Sequence, residues 1–207
     1  MSTPLRTLLL CAILTVPAIA LGQINIVNFD FGAVPILCQG DYAYEGPILL
    51  CSGVKDPEQN FNAAPGFGWF LGSAVISNGP GSGLTGPNTA FDPPSFADLP
   101  FTQAVFLQAI AWVSQSVAGF NAGNYTLSFY LGSRYTSGMY DGNQTVQALI
   151  DGHVIGTWAL SSFTPFTLET ASFTVTTAGA HTLEFRGITP GDHTAFLSYV
   201  VITPTDR

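Results

Sequence analysis

Segment after segment of this chain places apolar side chains at every second position, and no helix-period pattern of useful length exists after residue 22. Alternation by two sends neighbouring side chains to opposite faces of a strand. Residues 124–131 show it most clearly: Tyr125, Leu127, Phe129 and Leu131 alternate with Thr126, Ser128 and Tyr130. Asp151-Gly152 separates two apolar runs, 145–150 and 153–160. That dipeptide tolerates the positive φ that a two-residue hairpin demands at both turn positions. An uninterrupted register would put Val146, Ala148 and Ile150 on one face with Ile155, and Trp158 on the other with Thr145 and Gln147. Further strands are predicted at 103–108, 112–117, 167–176, 180–187 and 194–202, with a first strand at 24–31. Two short ones, 67–71 and 74–77, fall inside a loop-rich stretch from 52 to 100. Crossover helices are missing, so a parallel α/β sheet is disfavoured. The pattern predicts an all-β, antiparallel β-sandwich.

Ahead of the strands, residues 1–22 have the layout of a secretory signal peptide. Arg6 is followed by an apolar run from Leu8 to Ala20, then by small residues at Ala20 and Gly22. The run is shorter than the roughly 20 residues a membrane helix needs. Residues 23–207 then form a single domain, expected to be secreted or held at the cell surface, with no transmembrane helix in the mature chain. Without Arg6 the cations are Lys55, Arg134, Arg186 and Arg207, against 13 acids. Four scattered cations cannot build the basic stripe that nucleic acid requires. A cation partner such as Ca²⁺ is permitted. Cys38 and Cys51, exported and twelve residues apart around Gly40, Gly46 and Pro47, are expected to form a disulfide.

An ordered set of strings carries a resemblance: QAVFLQ (103–108), VSQSV (113–117), AGNYTLSFYLGSR (122–134), GNQTVQALIDGHVIG (142–156), ASFTVTTAGAHTLEFRG (171–187) and GDHTAFLSYVVI (191–202). IVNFDFG (26–32) and GFGWFLGSAVISNG (66–79) are weaker echoes. Together they resemble the galactose-binding-like jelly-roll domains of bacterial PEP-CTERM exported proteins. The sorting tail of those proteins is missing here, and Asp30 is followed by Phe31-Gly32 where the family has a Pro-rich turn. The resemblance implies a jelly roll that binds glycans or supports a neighbouring protein. It also implies a structural Ca²⁺ near the chain ends, for which Asn28, Asp30 and Asp192 are the placed oxygen donors.

Catalytic signatures are sparse. The histidines are His153, His181 and His193, with no Gly-x-Ser-x-Gly elbow and no paired-His zinc motif. The expectation is therefore a protein that is not an enzyme, although a hydrolase with an unfamiliar site stays open. Sugar recognition needs a flat ring against the apolar face of a pyranose, plus amide, carboxylate or guanidinium groups for the hydroxyls. Arg134, Tyr135, Tyr140, Asp141, Asn143 and Gln144 offer that mixture in one loop, and Trp158 adds a ring. Trp69 and Trp112 suit core packing better. The leading expectation is an exported, non-catalytic carbohydrate-binding-like module for a glycan or cell-surface polysaccharide. The alternative is a structural or adhesive surface protein that uses the same fold for protein contacts.

Overall fold

The computed structural model describes residues 24–34, 42–44, 47–49, 55–73, 81–136 and 141–205. Residues 1–22, where a signal peptide is expected, and Cys38, Cys51 and Tyr140 lie outside them. From residue 104 to residue 204 come eight strands: β6 (Ala104–Gln108), β7 (Ala111–Phe120), β8 (Gly123–Ser133), β9 (Thr145–Ile150), β10 (His153–Ala159), β11 (Thr167–Val175), β12 (Gly179–Gly187) and β13 (Thr194–Pro204). They pair antiparallel as β6-β13-β8-β11 in one sheet and β10-β9-β12-β7 in the other. That wiring is a jelly roll. Shorter strands widen it: β1 (Tyr42–Tyr44) and β5 (Ser82–Thr85) extend the first sheet beyond β6, and β4 (Phe70–Ser73) extends the second beyond β7. β2 (Pro47–Leu49) and β3 (Lys55–Asn60) form a separate pair.

The inward rows predicted from alternation make the core. Leu127, Phe129 and Leu131 of β8 meet Val146 and Ala148 of β9, Leu183 and Phe185 of β12, and Val113 of β7, all completely buried. Phe129 and Phe185 touch edge to face, centroids 4.8 Å apart, which adds to the plain gain from area removed from water.

Residues 81–100 of the loop-rich stretch cover a second, smaller apolar cluster. On the outer face of the six-stranded sheet Phe106 sits directly across from Phe196, flanked by Gly83 and Gly132. Phe91 stacks on Phe106 at 4.3 Å, and Phe96 and Phe166 pack alongside. The flanking glycines leave room for this cover. A Cβ on Gly132 would come within 2.9 Å of Pro94, and one on Gly83 would strike the Phe106 ring.

Two local expectations change. Residues 24–31 are not a strand. Ile24 makes one antiparallel bridge to Ile202, and residues 27–34 then turn back. Asn28 and Phe31 take positive φ (52° and 58°), and the Asn28 side-chain oxygen accepts the Ala33 N–H at 2.8 Å. The Gln115 side chain takes over the role of a neighbouring strand, bonding both the N–H and the C=O of Val27 at 2.9 Å. The turn delivers Phe31 to the core, fully buried against Trp69 at 5.0 Å.

The second change concerns Trp158. The β9–β10 hairpin forms at Asp151-Gly152 as predicted, but its register slips between Val154 and Gly156, so Trp158 stands opposite Val146. One extra residue in a strand reverses the facing of everything after it. Trp158 therefore turns inward and meets Phe129 edge to face at 4.9 Å. It is a core-edge residue, not a ring on the polar face. A Cβ on Gly156 would lie 2.3 Å from the indole. Gly156→Ala should cost about 1–3 kcal/mol, the usual range for overpacking. Urea unfolding should record that loss, and the tryptophan emission should shift to the red as the ring is displaced.

Candidate functional site

At one end of the sandwich four connections meet: the chain leaving β8, the approach to β9, the link from β10 to β11, and the loop between β12 and β13. Asp141 and His193 are joined there by an isolated parallel bridge, with the Thr194 N–H donating to the Asp141 carbonyl at 2.8 Å. The Asp141 residue is buried (7% exposed) and its carboxylate is bonded at both oxygens. One oxygen accepts from the Asn143 backbone N–H (2.9 Å) and lies 2.5 Å from His193 Nδ1; the other accepts from Asn143 Nδ2 at 2.7 Å. Burial alone would raise its pKa. The bonds from His193 and Asn143 outweigh burial and hold it below 3.8. An ionised carboxylate can only accept, so Nδ1 carries the proton. Nε2 points away from Asp141 and, in the neutral ring, bears the lone pair.

Beside this pair Asp192 bonds to the Gln108 amide and, at 3.3 Å, to the Arg134 guanidinium. Tyr44 donates to Gln108 at 2.8 Å and so fixes the amide's orientation. Burial pushes the Asp192 pKa up, and Arg134 and Gln108 only partly offset it. Arg134 in turn lies over the Phe91 ring, 5.0 Å from its centre, and donates to the Ala90 carbonyl at 3.1 Å. Two neighbouring carboxyls are thus driven in opposite directions, Asp141 toward the charged form and Asp192 toward the neutral one.

The structure brings Arg134, Tyr135, Asp141 and Asn143 to this end together, as their spacing in one loop predicts. Gln144 belongs to the framework. It is fully buried, its amide donates to the carbonyls of Ala109 (3.0 Å) and His193 (2.8 Å), and its oxygen accepts from Thr145 and Thr189. All its bonding capacity is used. Trp158 is turned into the core edge by the β10 bulge. Sequence reasoning missed Phe163, which is 54% exposed, has a φ of 68° and lies with its ring 5.7 Å from Tyr135. The signal was there: an aromatic set in the polar run Ser161-Ser162-Phe163-Thr164. It also missed His193 as the partner of Asp141, because fifty-two residues separate them.

The oxygen donors Asn28, Asp30 and Asp192 do not converge. Ser198 Oγ bonds the Asp30 carbonyl, which places Asp30 beside the middle of β13. Asp192 precedes the start of that strand, on the order of 15–20 Å away at strand rise. The Asn28 side chain is already used by Phe67 and Ala33, and Asp30 Oδ1 by the Gly32 N–H. These three residues do not fit a shared Ca²⁺. Among the described residues no three His, Cys, Asp or Glu side chains are grouped to share a metal, and no helix is long and apolar enough to cross a membrane.

No family model matches the chain, and no curated protein matches it. Solved structures do. The Stig cyclase Fisc from Fischerella sp. TAU, in complex with (3Z)-3-(1-methyl-2-pyrrolidinylidene)-3H-indole, aligns at a TM-score of 0.59 with 18% identity, covering 89% of this chain and 99% of that one. The apo form of a cyclase from Fischerella sp. aligns at 0.60 with 18% identity, covering 90% and 98%. A carbohydrate-binding module from Cellvibrio mixtus lichenase 5A, in complex with cellotriose, is similar more loosely, at 0.41 and 17% over 66% and 98%. The first two likenesses establish a shared fold. They also correct the expectation of a protein that is not an enzyme. That expectation rested on missing motifs, and enzymes with the same fold over nine-tenths of this chain remove its basis.

Asp141→Ala should lower stability at neutral pH by about 1.5–3 kcal/mol, the scale of bonds to a charged acceptor. A depressed folded pKa means the contribution is present above 3.8 and is lost as pH falls through the lower folded value. Denaturant midpoints measured from neutral to acid pH should converge for wild type and variant.

Proposed function

We propose that the protein is exported and binds a glycan at the end of the sandwich built by Asp141, His193, Asp192, Arg134, Tyr135 and Phe163. The observation that carries this reading is the Tyr135–Phe163 ring pair, with Phe163 more than half exposed, beside anchored polar groups. A ring of that kind covers the C–H face of a pyranose, and the neighbouring groups meet the hydroxyls at its edge. Asn143 is exposed but held at both ends of its amide, by Asp141 and by the Ser162 N–H. A site whose polar groups are already fixed loses little entropy on binding. The small number of cations and the net charge of −8 suit a neutral ligand over an anionic one.

A second reading, proton transfer to and from the bound ligand, is supported by one arrangement. His193 is held at Nδ1 by Asp141, which leaves its Nε2 edge turned away from that carboxylate, and the Asp192 carboxyl stands beside the pair. The two readings share the site and differ in whether the ligand leaves changed.

Affinity gels and glycan arrays test binding directly. Retention on at least one neutral polysaccharide is expected, weakened about 2–10-fold by Phe163→Ala or Tyr135→Ala, the scale of one ring contact. No retention on any polysaccharide would count against glycan binding. Ligand recovered unchanged after long incubation would remove the second reading.

A further inference from the structure

The far end of the sandwich carries a cleft that the glycan site does not use. β10 is the last strand of the five-stranded sheet, and β11 the last of the six-stranded sheet. Where they part, a cavity of about 380 Å³ opens. Its floor is Ile150, Ile155, Phe173 and Val175, residues of the core itself or packed against it. Asp151, His153 and His181 stand at the rim. Asp151 follows β9 and Asp141 precedes it, so the two ends are separated by the strand's length, roughly 20 Å.

A clasp closes one wall. His181 Nδ1 lies 2.5 Å from an Asp151 carboxylate oxygen, and Nε2 lies 2.9 Å from the Thr177 carbonyl. Neither oxygen has a proton to give, so both ring nitrogens must donate, and the ring that fits this geometry is the charged imidazolium. The second Asp151 oxygen accepts the Thr182 N–H at 2.8 Å, while the Asp151 N–H donates to the Thr182 carbonyl at 2.9 Å. The clasp therefore ties the β9–β10 turn to the start of β12. Its ring leans edge-on against Phe120, 5.2 Å away. The bonds to Asp151 and Thr177 raise the His181 pKa above 6.5, and Asp151 is correspondingly lowered. The titratable groups around the ring are Asp151 and, across the turn, His153; Phe120 of β7 and Thr177 add none.

An apolar-floored cleft of this size, with a few convergent polar groups and a perturbed pair at its mouth, has the make-up of a small-molecule site. The occupant follows from the lining. The floor is uncharged, Asp151 and His181 neutralise each other, and the chain's net charge of −8 disfavours anions. His153 and the Thr176 hydroxyl can bond one head group. We propose that the cleft between β10 and β11 is a second ligand site, for a neutral small molecule with an apolar body and one hydrogen-bonding group, and that the Asp151–His181–Thr177 clasp holds its wall in the binding shape. Raising the pH through the His181 titration removes a proton, turns one of its two contacts into a lone pair facing an oxygen, and releases the wall.

The probe is 4-methylphenol, added to the whole protein and followed through isoleucine and valine methyl resonances. Saturable shifts should appear at Ile150, Ile155 and Val175 and not at Ile188, which lies in the β12–β13 connection at the Phe163 end. Ile155→Phe, which fills the cleft, should remove them. Affinity should fall about fivefold as pH rises through the His181 titration, the lower end of measured site couplings. Linkage supplies a check that does not depend on the variant folding: bound probe should raise the His181 pKa, read from its Cε1–H resonance, and Asp151→Asn should lower that pKa and flatten the pH response. Absence of saturable shifts, or shifts confined to the Phe163 end, would overturn the site. Binding with an unmoved His181 titration would overturn the clasp's role.

Discussion

β13 is the strand on which the rest of the structure depends. It lies inside the six-stranded sheet and is hydrogen-bonded on both sides, to β6 and to β8. Its partners come from the middle of the chain, and its far end bridges back to Ile24. Contacts of such long sequence separation carry a large loop-closure entropy, which the two-sided pairing of this strand must offset. A register shift between Ser198 and Val201, with Tyr199 at φ 55°, lets it serve both ends. At the shift the Ser198 hydroxyl lies between the carbonyls of Asp30 and Gln103, 3.2 and 2.9 Å away, which anchors the N-terminal turn. At its start Thr194 fixes Asp141, and through it the orientation of His193.

The two ends of the sandwich solve one problem differently. Each holds an Asp–His pair at 2.5 Å. Around Asp141 further carboxylate bonds come from Asn143, and among the described residues His193 has a hydrogen-bond partner at Nδ1 alone. Around Asp151 both nitrogens of His181 are engaged. The same two residue types therefore give an open ring at one end and a locked ring at the other. The difference lies wholly in what the second nitrogen meets.

The strands from residue 104 onward were legible because alternation survives wherever one face is buried. The hairpin at Asp151-Gly152 was legible because few residue pairs tolerate its backbone. The first strand was not, since Ile24, Ile26 and Phe31 are as apolar as a strand requires, yet Asn28 turns the chain between them. At the candidate site, Arg134, Asp141 and Asn143 could be read together because they share one loop. Gln144 looked like a ligand residue for the same reason, and only its four bonds reveal a clip.

What the sequence determined by itself is the periodicity: which side chains alternate, where the turns fall, and hence an all-β sandwich. A residue's neighbours within about five positions settle those matters. What tertiary structure decided is everything that depends on register and on distant partners. One extra residue in β10 turned Trp158 from the surface to the core edge. The meeting of β12–β13 with the approach to β9 placed His193 against Asp141 across fifty-two residues. Which cross-strand hydrogen bonds pair is set by the packing of two whole sheets, and no local pattern records that choice.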